Sequence, residues 1–256
     1  MLPISDENPT LRPPVVTVAL LVTLGTVWVF VQHAGIDEVA LARSICDWGL
    51  VPAEITGRAK AGATVPITRD LACLVETTSQ SWLTPVTSMF LHGGWAHIIG
   101  NALFLWVFGN NVEDSMGRIR YVVFYVVCGL AAAALQVVLQ PSATAPMVGA
   151  SGAISGVLGA YLVLYPRVRV KVLVPLPFFW TIMTVPAYVM LLVWIGLQVV
   201  AGLPQLLSAE VSSGGVAVFA HIGGFIAGVA LVKPFHSRRR VSERNVIRHR
   251  HHPGHA

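Results

Sequence analysis

Six apolar runs separated by short polar clusters constrain this chain more than any other feature. They lie at roughly Val15–Ala34, Trp95–Asn111, Tyr121–Leu139, Ser151–Tyr165, Val185–Leu203 and Gly215–Val232, and none contains an Asp, Glu, Lys or Arg. Crossing a hydrocarbon core of about 30 Å takes roughly 20 apolar residues in a helix. A bilayer also forces every backbone N–H and C=O to find an internal partner, which favours helices. Charged residues make up only 11 % of the chain, against about 25 % in soluble domains, so the runs cannot be the cores of an ordinary soluble fold. The expected fold is all-α: a polytopic membrane protein with a six-transmembrane-helix bundle.

Residues 1–14 read as a short N-terminal segment, 15–234 as the membrane domain and 235–256 as a basic tail, with a first outer loop spanning about 35–94. The first run exceeds the roughly 7–15 apolar residues of a cleaved signal peptide. Gln32 also occupies the small-residue position before a cut after Ala34, so the run reads as an uncleaved anchor.

Lys and Arg accumulate on the cytoplasmic side of membrane proteins. With the N-terminus inside, 13 of the 17 basic residues fall in cytoplasmic segments and only Arg43, Arg58, Lys60 and Arg69 lie outside. Both termini are therefore expected in the cytoplasm, most simply at a cell (plasma) membrane. The basic tail suits anionic lipid headgroups rather than nucleic acid. Its His249, His251, His252 and His255 lack a second ligand set, so no metal or other cofactor is expected. Cys128 sits in an apolar run and reads as packing. Cys46 and Cys73 share the first outer loop, and their pairing is left open.

The polar residues left inside the runs are few, and such residues are costly enough to suggest function. They are chiefly His97 and Asn101 in span two, Ser151 and Ser155 in span four, and His221 in span six. Even-numbered spans run from outside to inside, so His97, Asn101, Ser151 and His221 share a depth within roughly 10 Å of the outer boundary. Each has a bland alternative, since a serine in a membrane helix can bond its own backbone and Asn or His can serve as interhelical glue. Gly152 and Gly156 form one small-residue stripe and Ala220, Gly224 and Gly228 another. Such stripes let helices approach closely in lipid, which would bring Ser151 and His221 within reach.

Imidazole titrates in the range needed to take a serine proton. No Asp or Glu stands behind His221. Glu113 and Asp114 lie about 18 Å along the helix from Asn101, at the other face of the membrane. The expected machinery is a Ser151–His221 dyad. The first N–H groups of span four, with Asn101 and His97, are available to a developing oxyanion.

Three segments carry a resemblance. They are Phe90-Leu91-His92-Gly93-Gly94-Trp95-Ala96-His97 with Asn101; Gly149-Ala150-Ser151-Gly152; and Ala220-His221 followed by Gly224 and Gly228. In order and spacing they resemble the rhomboid family of intramembrane serine proteases over roughly 81–234. The resemblance implies cleavage of transmembrane protein substrates, with Ser151 as nucleophile and His221 as base. It also implies an oxyanion site of His97, Asn101 and the Ser151 amide, supported by Gly149, Gly152, Gly224 and Gly228. Two positions depart from the pattern. Trp82 is followed by Leu83 rather than Arg, and Ser155 stands where some members stack an aromatic on the histidine. A relative that binds membrane helices without cutting them, and a small transporter, are the competing readings.

Overall fold

The computed structural model describes residues 2–60, 62–67, 70–75, 81–175, 179–207, 217–237 and 239–241. The histidines of the tail lie outside the described residues, as does the start of the sixth apolar run at Gly215. Helix α1 (Val15–Thr26) runs on into a π-helical turn, Val27–Val31. Helix α2 (Glu38–Trp48) is capped by the Asp37 carboxylate, which accepts from the Val39 and Ala40 N–H groups. Two short helices follow, α3 (Pro52–Ile55) and α4 (Thr84–Thr87). The second apolar run is composite: α5 (Trp95–Phe104), a π-helical segment (Leu105–Gly109) and α6 (Asn110–Met116). Four longer helices complete the bundle, α7 (Arg118–Leu139), α8 (Ser151–Leu164), α9 (Ala187–Leu207) and α10 (Val218–Phe235). Among the described residues α7, α9 and α10 are long and apolar enough to cross a membrane, while Val15–Val31 and α8 are shorter apolar helices.

Helix α8 is the centre of the bundle. Every residue from Gly152 to Tyr161 is buried, and α7 and α10 pack along it. Glycine makes that approach possible. A Cβ at Gly224 would overlap the Gly152 carbonyl, and one at Gly228 would overlap that of Gly156. With little hydrophobic drive between helices in lipid, dispersion over such close backbone contacts is what holds them. Cys128, a buried free thiol, packs where a Cβ on Gly156 would sit. Gln136 on α7 accepts the Ala220 N–H at 3.1 Å and so fixes where α10 begins.

The all-α expectation is corrected: the chain is mostly helical, with two small antiparallel sheets. Strand β1 (Leu2–Asp6) pairs with β4 (Arg169–Pro175), which pairs with β5 (Trp180–Pro186). Between α3 and α4, β2 (Ala63–Pro66) pairs with β3 (Ala72–Val75). The signal was a period-2 pattern. Val170 and Val172 are buried while Arg169 and Lys171 are exposed, as a half-buried strand requires. A search for apolar runs passes over segments this short.

Cys46 and Cys73 are bonded, tying α2 to β3. The loop is further fastened to the segment that leads into α8. Leu50 and Met147 exchange backbone hydrogen bonds at 2.9 and 2.7 Å, Ala53 N–H donates to Ala143 O at 2.9 Å, and Thr56 Oγ1 donates to Pro141 O at 2.6 Å. This covalent tie and these bonds fasten the loop, while Trp82 itself is 73 % exposed.

Candidate active site

Ser151 is the first residue of α8, and the first helical bond there runs from Ile154 N–H to Ala150 O. The Ser151 N–H therefore precedes the helix's own ladder. Its hydroxyl does not back-bond. That bond is made by Ser155, whose Oγ donates to Ser151 O at 2.6 Å. The Ser151 Oγ instead lies 2.7 Å from His221 Nε2.

His221 is 8 % exposed, and its other nitrogen, Nδ1, lies 2.8 Å from Gln198 Oε1 on α9. A carboxamide oxygen can only accept, so Nδ1 carries the ring proton and Nε2 is left to accept from the serine hydroxyl. One helical turn before Gln198, the Trp194 ring tilts against the imidazole at a centroid distance of 5.7 Å. The aromatic missing at Ser155 is thus supplied by α9. Neither α9 residue was singled out from sequence. The available signal was an aromatic and an amide four apart, which places them on one helix face.

His97 and Asn101 also share one face of α5 and line the same cavity as Ser151 and His221, a space of about 710 Å³. The Gly93 N–H donates to His97 Nδ1 at 3.4 Å, which leaves the proton of a neutral ring on Nε2 as a donor. Asn101 is 7 % exposed, and its Nδ2 is buried without a hydrogen-bond partner among the described residues. An unsatisfied buried donor costs about 1–3 kcal/mol, a cost that a bound anion would remove.

Gly149 forms the wall between them. Its φ of +123° is a conformation L side chains rarely adopt, and a Cβ there would sit 2.5 Å from His97 Nε2. Its N–H donates to Ser88 O at 2.8 Å, which fixes the turn that delivers Ser151. Gly152 admits Ala132 of α7, since a Cβ would lie 2.7 Å from the alanine Cβ.

The turn before α5 is clamped by Gln32, at the end of the first helix. Its Oε1 accepts the His92 N–H and its Nε2 donates to His92 O, both at 2.8 Å. His92 itself is fully buried against the His97 ring, with centroids 5.1 Å apart. Burial pushes its pKa down to about 3, with the neighbouring His97 a smaller cause, so it packs as a neutral ring.

Glu113 and Asp114 are at the far end of the composite α5–α6 helix, as the spacing requires. They hold the start of α1. Glu113 accepts from Val16 N–H, Thr17 N–H and Thr17 Oγ1, while Asp114 accepts from Leu11 N–H and Arg12.

Comparison with known proteins is consistent with this geometry. The Rhomboid domain family model matches residues 79–238. The chain is 30 % identical over 156 residues to Rhomboid-like protein 11, chloroplastic, of Arabidopsis thaliana, covering 59 % of this chain and 52 % of that protein. It is 40 % identical over 81 residues to Rhomboid protease GluP of Bacillus subtilis (strain 168), covering 32 % of this chain and 15 % of that one. It is 31 % identical over 163 residues to Rhomboid-like protease 5 of Toxoplasma gondii, covering 60 % and 17 %. The chain thus spans about half or less of these relatives' lengths.

Proposed function

The chain belongs to the rhomboid family, and from that premise we propose that it is an intramembrane serine endopeptidase working through a Ser151–His221 dyad. The observation that carries the reading is the 2.7 Å hydrogen bond from Ser151 Oγ to His221 Nε2, in a cavity whose lining includes Asn101, with its buried and unpartnered Nδ2. The naming of two relatives as proteases supports it.

In the proposed mechanism the Ser151 oxygen attacks the scissile carbonyl carbon as its proton passes to His221 Nε2. His221 keeps its Nδ1 proton throughout and donates it to Gln198 Oε1, which holds the ring in the tautomer whose Nε2 can accept. The carbonyl oxygen becomes an oxyanion and takes hydrogen bonds from the Ser151 N–H, Asn101 Nδ2 and His97 Nε2–H, donors that strengthen as charge develops. Collapse of the tetrahedral intermediate breaks the C–N bond, and His221 returns its proton to the leaving amine. Water repeats the sequence on the acyl-serine ester, releasing the new carboxylate and restoring Ser151.

The same reading makes the chain a six-span protein of the plasma membrane with both termini cytoplasmic, supported by the distribution of Lys and Arg. The cavity then opens at the outer leaflet, and transmembrane protein substrates enter between α5 and α9, the route that the family resemblance implies. Here Phe104 and Trp194 meet at 6.3 Å between these helices.

The decisive experiment combines cleavage of a model transmembrane substrate in liposomes with labelling by a serine-reactive phosphonate. Ser151→Ala and His221→Ala are each expected to abolish cleavage, with the double variant hardly worse, because the pair acts as a unit. Substantial cleavage by purified Ser151→Ala refutes the dyad. Intact substrate binding with neither cleavage nor labelling in the parent chain would make it a helix-binding relative instead.

A further inference from the structure

A second large cavity, of about 700 Å³, lies at the opposite end of the bundle from Ser151. Between Asn101 and Arg118, on its wall, the helices advance roughly 25 Å at 1.5 Å per residue. Four arginines line it (Arg12, Arg118, Arg120 and Arg240) against two carboxylates, Glu113 and Asp114. They arrive from three separate parts of the chain: the segment before α1, the first turn of α7, and the stretch after α10.

The two carboxylates offset only part of this charge: four arginines against two carboxylates leave a formal excess of two positive charges, and both carboxylates are already engaged. Glu113 is occupied by three donors from the start of α1 at 2.8–2.9 Å, and Asp114 by the Leu11 N–H at 2.8 Å and Arg12 at 3.0 Å. Among the described residues Arg118, Arg120 and Arg240 form no ion pair. The Arg240 guanidinium lies beside Gly117, 3.4 Å from where a Cβ would be, and Gly117 caps α7. Gly117 is also the C-cap of α6, so helix-end partial charges of opposite sign meet there and the guanidinium groups carry the positive charge of the cavity.

One flank of the cavity is apolar and open. Ile119 is 82 % exposed, and Val122, Val123 and Val127 continue an exposed stripe along α7, a membrane-capable helix. A cationic cavity that opens onto a lipid-facing stripe suits a ligand with an anionic head and a hydrocarbon tail. We propose that this cavity binds the phosphate of an anionic phospholipid headgroup, with Arg118, Arg120 and Arg240 as its ligands and the acyl chains lying along Ile119, Val122 and Val123. The fork of a guanidinium matches phosphate oxygens two at a time. The contact would fasten the junction of α6 and α7 to the segment that follows α10, independently of the chemistry proposed at Ser151.

The test uses the full-length chain purified in detergent, with native mass spectrometry counting retained phosphatidylglycerol against phosphatidylcholine. The parent chain should retain phosphatidylglycerol selectively. Each of Arg118→Gln, Arg120→Gln and Arg240→Gln should weaken retention about fivefold, and the three together about a hundredfold. A control combining Arg167→Gln, Arg169→Gln and Lys171→Gln removes the same charge outside the cavity and should leave retention unchanged. Equal loss in both triple variants would mean diffuse attraction and overturn the site, as would no preference in the parent chain. Should the cavity triple variant fail to fold, the three single variants carry the same comparison. A competition arm identifies the source of the phosphate. If the delipidated chain binds inorganic phosphate through the same three arginines and phosphatidylglycerol does not compete with it, the lipid is overturned in favour of a free anion, whereas displacement of bound phosphate by phosphatidylglycerol but not by phosphatidylcholine supports the headgroup.

Discussion

Replacing Gln198 by Leu keeps a side chain of similar size and removes the whole carboxamide, including the oxygen that faces His221. In the parent structure that oxygen takes the Nδ1 proton of His221 at 2.8 Å, in a place where the imidazole is only 8 % exposed. Water has little access to substitute for it. Leaving a buried N–H unsatisfied costs about 1–3 kcal/mol, and the deficit is felt most in the transition state, where the ring is cationic and both nitrogens donate. If the ring escapes the cost by moving its proton to Nε2, it can no longer accept from Ser151. Either way kcat should fall about 5- to 150-fold, since 1.36 kcal/mol is one decade. Gln198 is not on the cavity wall beside Ser151, so KM should hardly change. Gln198→Glu restores an acceptor at the same place and should recover activity above the Leu variant. The assay is steady-state cleavage of a fluorogenic transmembrane peptide in liposomes, with thermal unfolding measured on the same preparations. A Leu variant that turns over at the parental rate would refute the claim that Gln198 orients the histidine. Equal loss in Leu and Glu variants would show that packing, not the acceptor, is what matters.

Three further outcomes are expected. Asn101→Ala should lower kcat about a hundredfold with KM nearly unchanged, the low end for losing one oxyanion donor. A variant that melts earlier but turns over normally would return Asn101 to a packing role. Gly149→Ala has to force a Cβ into the His97 ring from a backbone conformation that disfavours it. It should insert and fold yet lose nearly all cleavage, which full parental activity would contradict. Thiols introduced at Ala143 should react with a membrane-impermeant reagent from outside, and those at Lys171 only from inside; the reverse pattern would invert the proposed topology.

The sequence alone determined the membrane-embedded helical character and the family. The reason is that bilayer thickness and the cost of burying charge act on composition directly, residue by residue. Its residue types also singled out Ser151, His221, His97 and Asn101, because so few polar groups survive inside apolar runs that each one stands out. The glycine stripes were legible for the same reason. A segment of only 7 residues such as β4 carries a two-residue period too short to stand out beside apolar runs of roughly 20, and β5, of the same length, shows no alternation in burial.

Only the tertiary structure decided how His221 is held. Nothing in the local pattern around Gln198 says which helix its amide will meet, because a hydrogen bond between residues 23 apart depends on helix packing and not on spacing. The same holds for Glu113 and Asp114, which read as stranded carboxylates in the chain and prove to be the acceptors that hold the first helix 96 and 103 residues away. Convergence of Arg12, Arg118, Arg120 and Arg240 on one cavity is likewise invisible in sequence. Charge along the chain sets which face of the membrane a segment prefers, whereas the grouping of charges into a site depends on which helix ends the packing of the bundle brings together.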